Sequence, residues 1–465
     1  MILTDTLRRT ADLFRGLPVF LLFISGLAGV LYGVASGNLL AVAMPYFEST
    51  MHLTPKSMGL LVSACSCAAL ISGFLAGPLA EWIGRKKILV ASALFYVGAT
   101  GVVALCCSNY WVLFTGLCLQ GWAMGLVGTV APLYLAESLP AEHRGKGTGL
   151  FQLFLIGGIV LSGLIGLGVS WLLGAGDDPT VIGSTKTLAW QIIFWVGAIP
   201  CVIMFFGSLK LPESPEWLRK RERGAEQREQ ERDARVAPEG KLTLSSLLTR
   251  RYVVPFLIVF VILACNKLCG LPCILCYSVK IFNLSGLAKE YANYADVIFK
   301  TVMFVMTMVA CVLVDVKGRK YLLKLGTGTI FFSLLLIGIS FFAIEHGWLA
   351  KGGLTGMMVA VGVVFFIAGY SIGPGVCVWL VMTELLPARI RAVGMGIVLF
   401  VNHFVSMGMQ YAFLPAGEAF GFGSFWVFCA VSGVVYFLAV RFGMPETKGM
   451  ALEDVEKWYD TKPKR

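Results

Sequence analysis

Charge is scarce in this sequence. Of its 465 residues only 14% are Asp, Glu, Lys or Arg, where a soluble globular domain carries about 25%. With 57% of the residues hydrophobic, an ordinary water-facing surface is excluded for most of the chain. Other absences narrow the class. No nucleophile–base constellation, metal-ligand cluster or phosphate-cradling motif stands out, so neither an enzyme nor a metal, nucleotide or covalent cofactor is expected. The basic residues are not gathered in one block, so the net charge of +11 does not read as a nucleic-acid surface. A disulfide framework is lacking as well. Cys65, Cys67, Cys118, Cys311 and Cys429 lie inside apolar runs, where Cys acts as a small hydrophobe; only Cys106 and Cys107 sit near an outer loop. No small-residue cleavage site ends the first apolar run, which opens near Phe14 behind Arg8 and Arg9. It reads as a retained first span rather than a signal peptide.

What the sequence does have is long apolar runs and 53 glycines, a residue common where spanning helices pack closely. A span needs about 20 mostly apolar residues. Such runs fall at 15–37, 57–79, 87–107, 110–131, 148–172 and 188–208, then at 253–277, 297–315, 321–343, 354–383, 391–414 and 422–441. An all-α membrane protein of twelve transmembrane helices is therefore expected. Gly373-Pro374-Gly375 should break the tenth span, and the freed backbone groups must face protein or a water-filled cavity.

Basic clusters set the orientation. Arg85 to Lys87, Arg144 and Lys146, Arg219 to Arg235, Lys317 to Lys320, Arg389 and Arg391, and Lys457 to Arg465 all fall on one side. The opposite loops carry few basic residues, Lys280 and Lys289 among them. The positive-inside rule makes the first side cytoplasmic and places both termini there; the membrane expected is the plasma membrane. The division expected is a six-helix bundle over 1–208, a charged linker over 209–252, a second six-helix bundle over 253–441 and a tail over 442–465. The linker's alternating charges over Arg221 to Asp233 suit either an exposed helix or a plain solvated connection.

Internal repetition supports two related bundles. The run Gly77 to Lys87 follows span two, and Val314 to Lys320 follows span eight. Glu137-x-x-Pro140-x-x-x-Arg144 follows span four, and Glu384-x-x-Pro387-x-x-x-Arg391 follows span ten. Parallel repeats related by an axis along the membrane normal follow from such pairs. Gly84 and Gly318 suit tight turns, and the adjoining Arg85 and Arg319 can pair with carboxylates at neighbouring helix ends. Glu137, Arg144, Glu384 and Arg391 are candidates for gating pairs that hold the halves together in one state. Ordinary snorkelling and topology determination is the alternative reading of the same charges.

These motifs resemble the sugar porter family of the major facilitator superfamily, which includes the facilitative glucose transporters. Pro212-Glu-Ser-Pro-Glu-Trp-Leu218 and Pro445-Glu-Thr-Lys-Gly449 are similar to two of its signatures, and Glu137 to Gly145 and Trp379 to Arg391 match it too. The resemblance implies a major facilitator fold of two six-helix bundles around a central site, working by alternating access on a small polar solute such as a hexose or polyol. A monomer embedded in membrane lipid is expected, with no nucleic-acid partner. It also implies that Gln152, Trp379 and Asn402 contribute to the solute site.

The same resemblance marks departures. Where the family has two glutamines on span seven, this chain has Asn266 and Lys267; where it has an asparagine, Pro272. A span-eight asparagine corresponds to Met303, and a span-eleven tryptophan to His403. The span-one aspartate of proton-coupled members corresponds to Leu31, and a span-four arginine to Leu117, which leans toward a uniporter. Lys267 falls about 20 Å into its span, where a charge should face a cavity or a partner. No Asp or Glu falls in the core of the spans as placed, and Asp296 and Glu384 are expected near membrane edges. Two readings of Lys267 stay open: it meets an anionic solute beside His403, or it points along a watery path or to carbonyls near Pro272. A carrier of an organic anion or another polar metabolite, or a transport-deficient sensor on the same fold, are the competing functions. Asn283-Leu-Ser285 is a glycosylation sequon just outside span seven.

Overall fold

The computed structural model describes residues 19–36, 38–51, 53–105, 109–139, 144–174, 183–219, 221–222, 250–387, 391–448, 450 and 458–459. Most of the charged linker, Cys106, Cys107 and the basic end of the tail lie outside the described residues, as do the side chains of Arg144 and Arg391. Among the described residues twelve helical spans are long and apolar enough to cross a membrane. The fold is all-α, with the spans in two six-helix bundles.

The first span is broken into α1 (Val19–Ala35) and α2 (Asn38–Met51). It is longer than the run at 15–37, because Pro45 and Glu48 make its outer half look like a loop in sequence. Then follow α3 (Pro55–Ile83), α4 (Arg85–Ala104), α5 (Tyr110–Ser138), α6 (Arg144–Leu173) and α7 (Gly183–Leu209). The second bundle opens with another broken span, α8 (Arg250–Leu268) and α9 (Leu271–Leu284). Next come α10 (Lys289–Lys317), α11 (Arg319–Glu345), α12 (Gly353–Ile372), α13 (Pro374–Leu385), α14 (Arg391–Phe420) and α15 (Phe422–Leu438), which runs on into a π turn at Ala439–Gly443. The expected break at Gly373 is present, between α12 and α13.

Apolar helices gain little from hiding oil from oil, so contact quality decides which of them associate. Glycine makes the closest seams. A methyl group added to Gly33 of α1 would lie 2.0 Å from the Leu155 carbonyl oxygen of α6, and one on Gly121 of α5 would lie 2.2 Å from that of Cys65 on α3. Each bundle closes through such seams. Between bundles the main contacts are α3 with α14, α6 with α10, and α2 with α9.

One end of the molecule carries Arg85 and Arg319 at the starts of α4 and α11, and is called the basic face below. Among the described residues the bonds between side chains that join the two bundles lie toward the other face. Lys280 of α9 pairs with Glu48 of α2. The Trp171 indole donates to the Tyr294 hydroxyl at 2.9 Å, and Asn293 Nδ2 donates to Ser170 Oγ at 3.2 Å.

Candidate functional site

The middle of the molecule is set by helix breaks. In span seven the backbone turns left-handed at Gly270 (φ +88°), and Lys267 is the penultimate residue of α8 before that turn. The carbonyl end of a helix favours a cation, with roughly half an elementary charge. The sequence-predicted Asn266 is buried here, and its Oδ1 accepts from the Tyr370 hydroxyl of α12 at 3.2 Å. Tyr370 in turn lies within electrostatic reach of Tyr32 on α1, across the bundle boundary. Beyond the break, the Cys276 thiol points to the Ser36 carbonyl at 3.5 Å, where span one is interrupted. Gln410 of α14 donates from Nε2 to the Cys276 sulfur at 3.1 Å.

His403 joins the same neighbourhood. It is half-buried and near enough to Lys267 for their charges to interact. Its Nδ1 is 2.9 Å from the Leu399 carbonyl oxygen. A carbonyl only accepts, so the neutral ring carries its proton on Nδ1 and leaves Nε2 as an acceptor. Lys267 is half-buried and, among the described residues, forms no ion pair. Two buried amide atoms here also lack a hydrogen-bond partner among the described residues, Asn266 Nδ2 and Gln410 Oε1. The Tyr436 hydroxyl is close to the Asn266 amide but outside hydrogen-bonding geometry. Buried polar atoms are normally satisfied, so unsatisfied ones around a helix break suit a polar visitor.

Asn266, Lys267 and His403 are thus brought together. The other sequence-predicted site residues make no described bond to that group. Gln152 is half-buried on α6, Asn402 is buried on α14, and Trp379 on α13 is 41% exposed. The site's other close partners, Tyr370, Cys276 and Gln410, gave no motif in the sequence.

One expectation is corrected. Asp296 does not sit at a membrane edge. It is seven residues into α10, about 10 Å along the helix, and 1% exposed. Span eight begins earlier than the apolar run suggests, at Tyr291, because an acidic residue ended that run. Lys300, one turn on and fully buried, donates to Asp296 Oδ2 at 2.8 Å. The Ser278 hydroxyl of α9 also donates to Asp296, and a methyl on Gly163 of α6 would lie 3.1 Å from Asp296 Oδ2. This buried pair sits against both bundles. The i,i+4 Asp–Lys spacing in an apolar helix was its one sequence signal.

At the basic face the two halves repeat one arrangement. Arg85 makes a bidentate contact with Glu137, with Nε to Oε2 and Nη2 to Oε1 both at 2.9 Å, and pairs with Glu81 at 2.7 Å. Arg319 Nε pairs with Glu384 at 3.3 Å. Glu213 accepts the backbone N–H groups of Arg85 and Lys86 at 2.9 and 3.0 Å, and Glu446 those of Arg319 and Lys320 at 2.8 and 3.1 Å. These carboxylates fill the gap left by Gly84 (φ +104°) and Gly318 (φ +87°), which cannot cap a helix with a side chain. The Ser214 hydroxyl donates to Glu137 as well. Among the described residues each of these pairs joins helices of its own bundle; the side chains of Arg144 and Arg391, the other members of the expected gating pairs, lie outside the described residues. The glycine turn folds each arginine back onto the neighbouring helix.

Comparison with known proteins follows the fold. The family model described as "Sugar (and other) transporter" matches residues 23–459. Sugar transporter ERD6-like 7 of Arabidopsis thaliana is 26% identical, over 94% of this chain and 94% of the relative. Polyol transporter 5 of the same plant is 27% identical, over 94% of this chain and 86% of the relative. A crystal structure of a D-xylose-proton symporter superposes with a TM-score of 0.74 over 93% of this chain and 99% of that one, at 20% identity; at that identity the likeness is one of fold.

Proposed function

The chain belongs to the sugar porter family of the major facilitator superfamily, and we propose that the solute it carries binds where the breaks in spans one, seven and ten meet, among Asn266, Lys267, Tyr370, Gln410 and His403. Transport of a small polar solute by alternating access is the family's activity. The solute is a sugar or sugar-derived molecule, the class named for relatives that match over most of their length. Gln152, Trp379 and Asn402 complete the wall of the cavity.

The observation that carries this reading is the pair of bonds linking separate breaks. Asn266 meets Tyr370, and Cys276 meets Ser36. A site built on interrupted helices offers backbone and amide groups to a polar solute inside an apolar slab. Because the described bonds between side chains of the two bundles lie away from the basic face, this arrangement is read as the one in which the site communicates with the basic face. That face is the cytoplasmic one and holds both termini, and the halves divide at 1–208 and 253–441, with the linker at 209–252 and the tail from 442.

Uptake into proteoliposomes tests it. Saturable entry of a labelled sugar or polyol, abolished by Asn266→Leu in a folded protein, is the expected result. Undiminished uptake by Asn266→Leu would remove the site from this position.

A further inference from the structure

We propose that the solute is acidic: a sugar acid carrying one carboxylate, held by Lys267. This rests on the carrier reading above and narrows its substrate class.

The argument is one of charge. The described carboxylates on the helices around the breaks, Asp296 and Glu48, are already engaged. Asp296 is bonded to Lys300 and Ser278, and Glu48 to Lys280. Lys267 has no such partner among the described residues, and the group beside it, His403, brings no negative charge. The nearby thiols of Cys269 and Cys276 are within electrostatic reach but are neutral groups. Withdrawing an ammonium even partly from water inside an apolar span without a counter-ion is unfavourable, and the carbonyl end of α8 offsets only part of that cost. A cation kept at such a place is stabilised best by an anion that arrives and leaves.

The size of that charge follows. One ammonium matches one negative charge. A singly charged carboxylate makes the occupied site electroneutral, a state suited to crossing an apolar slab. A doubly charged phosphate would leave excess negative charge on the complex, with only a neutral imidazole beside it. A neutral sugar would leave the ammonium unpaired.

The uncharged groups suit the rest of such a molecule. Asn266 Nδ2 is a free donor, Gln410 Oε1 a free acceptor, and His403 Nε2 a further acceptor. These match a hydroxylated ring rather than a bare alkyl chain. A hexuronate, with its carboxylate at Lys267 and hydroxyls toward these three atoms, uses the ammonium and all three of them.

The test uses purified full-length protein in proteoliposomes, with labelled D-glucuronate, D-galacturonate, D-glucose, a polyol and glucose 6-phosphate. Wild type is expected to take up a hexuronate in preference to the neutral hexose. Lys267→Gln should raise the KM for the uronate by about tenfold to a hundredfold, the worth of one charge-assisted bond, and so shrink or reverse the preference for uronate over neutral hexose. Lys267→Arg should keep uronate uptake, and thermal stabilisation of the wild type by uronate reports binding without any variant. Wild type that carries neutral sugar and refuses uronates overturns the proposal and leaves the carrier reading intact. Preference for the sugar phosphate overturns it too. Folded protein that moves none of these solutes overturns both.

Discussion

Lys280 and Glu48 form an ion pair that ties the outer half of span seven to the outer half of span one, and so one bundle to the other. Their side chains are 27% and 35% exposed, so solvent weakens the bond, and its worth is about 1 kcal/mol or less. Glu48→Gln or Lys280→Gln should therefore move the balance toward the state open at this face by at most about fivefold. Charge reversal at one site should move it further, and reversal at both should restore it. Distances between spin labels on the outer ends of α2 and α9 measure the balance. Single-reversal effects that simply add in the double reversal would show that the two residues are uncoupled.

The Asp296–Lys300 pair behaves differently, because both partners are buried. Asp296→Asn leaves a buried ammonium without its anion, and should destabilise the protein by about 3–5 kcal/mol. Replacing both residues, by Asp296→Leu with Lys300→Met, should cost less than either change alone. Thermal unfolding of the purified protein in detergent compares the three variants. Additive losses would rule out the coupling.

Glu213 and Glu446 cap equivalent helices, so their loss should look alike. Each Glu→Ala change removes the acceptor of two backbone N–H groups at the start of α4 or α11, for about 1–2 kcal/mol each. The same unfolding measurement reads both. A loss confined to one half would break the equivalence.

Glycine positions separate seam from surface. Gly33→Val must displace the backbone of α6 and should abolish a monodisperse folded protein or lower its melting temperature steeply. Gly77→Ala meets nothing within 4 Å and should leave stability unchanged or slightly raised. Size-exclusion profiles and melting temperatures distinguish the two.

The number of spans and the repeat were legible because hydrophobic length and motif spacing are local properties. The breaks were legible only in part. Gly373-Pro374-Gly375 announces one, whereas the interruption after Ala35 and the extension to Met51 are hidden by Pro45 and Glu48, which look like loop residues until a partner for the carboxylate is known. That partner, Lys280, is 232 residues away. Asp296 was misplaced for a related reason: a run of hydropathy stops at a charge, although a charge with its own counter-ion one turn later can enter the membrane. Lys267 was legible because it lacks such a neighbour. Arg85 and Glu137, 52 residues apart, could be paired only through their repeated context, and the sequence could not show that the bond stays within a bundle.

Among the described residues the side-chain ties between bundles, Glu48–Lys280 foremost, lie toward one face, and the clasps at the other hold each bundle to itself. For an empty carrier this gives the two orientations unequal populations, with the one facing the basic side as the place where the cycle waits. Such a bias cannot concentrate a solute on its own. In an uncoupled carrier it sets different half-saturation constants for entry and exit and scales the two maximal rates in the same ratio, so that net flux still ends when the concentrations are equal. Half-saturation constants measured from the two sides would therefore read the strength of the Glu48–Lys280 bond as a kinetic asymmetry.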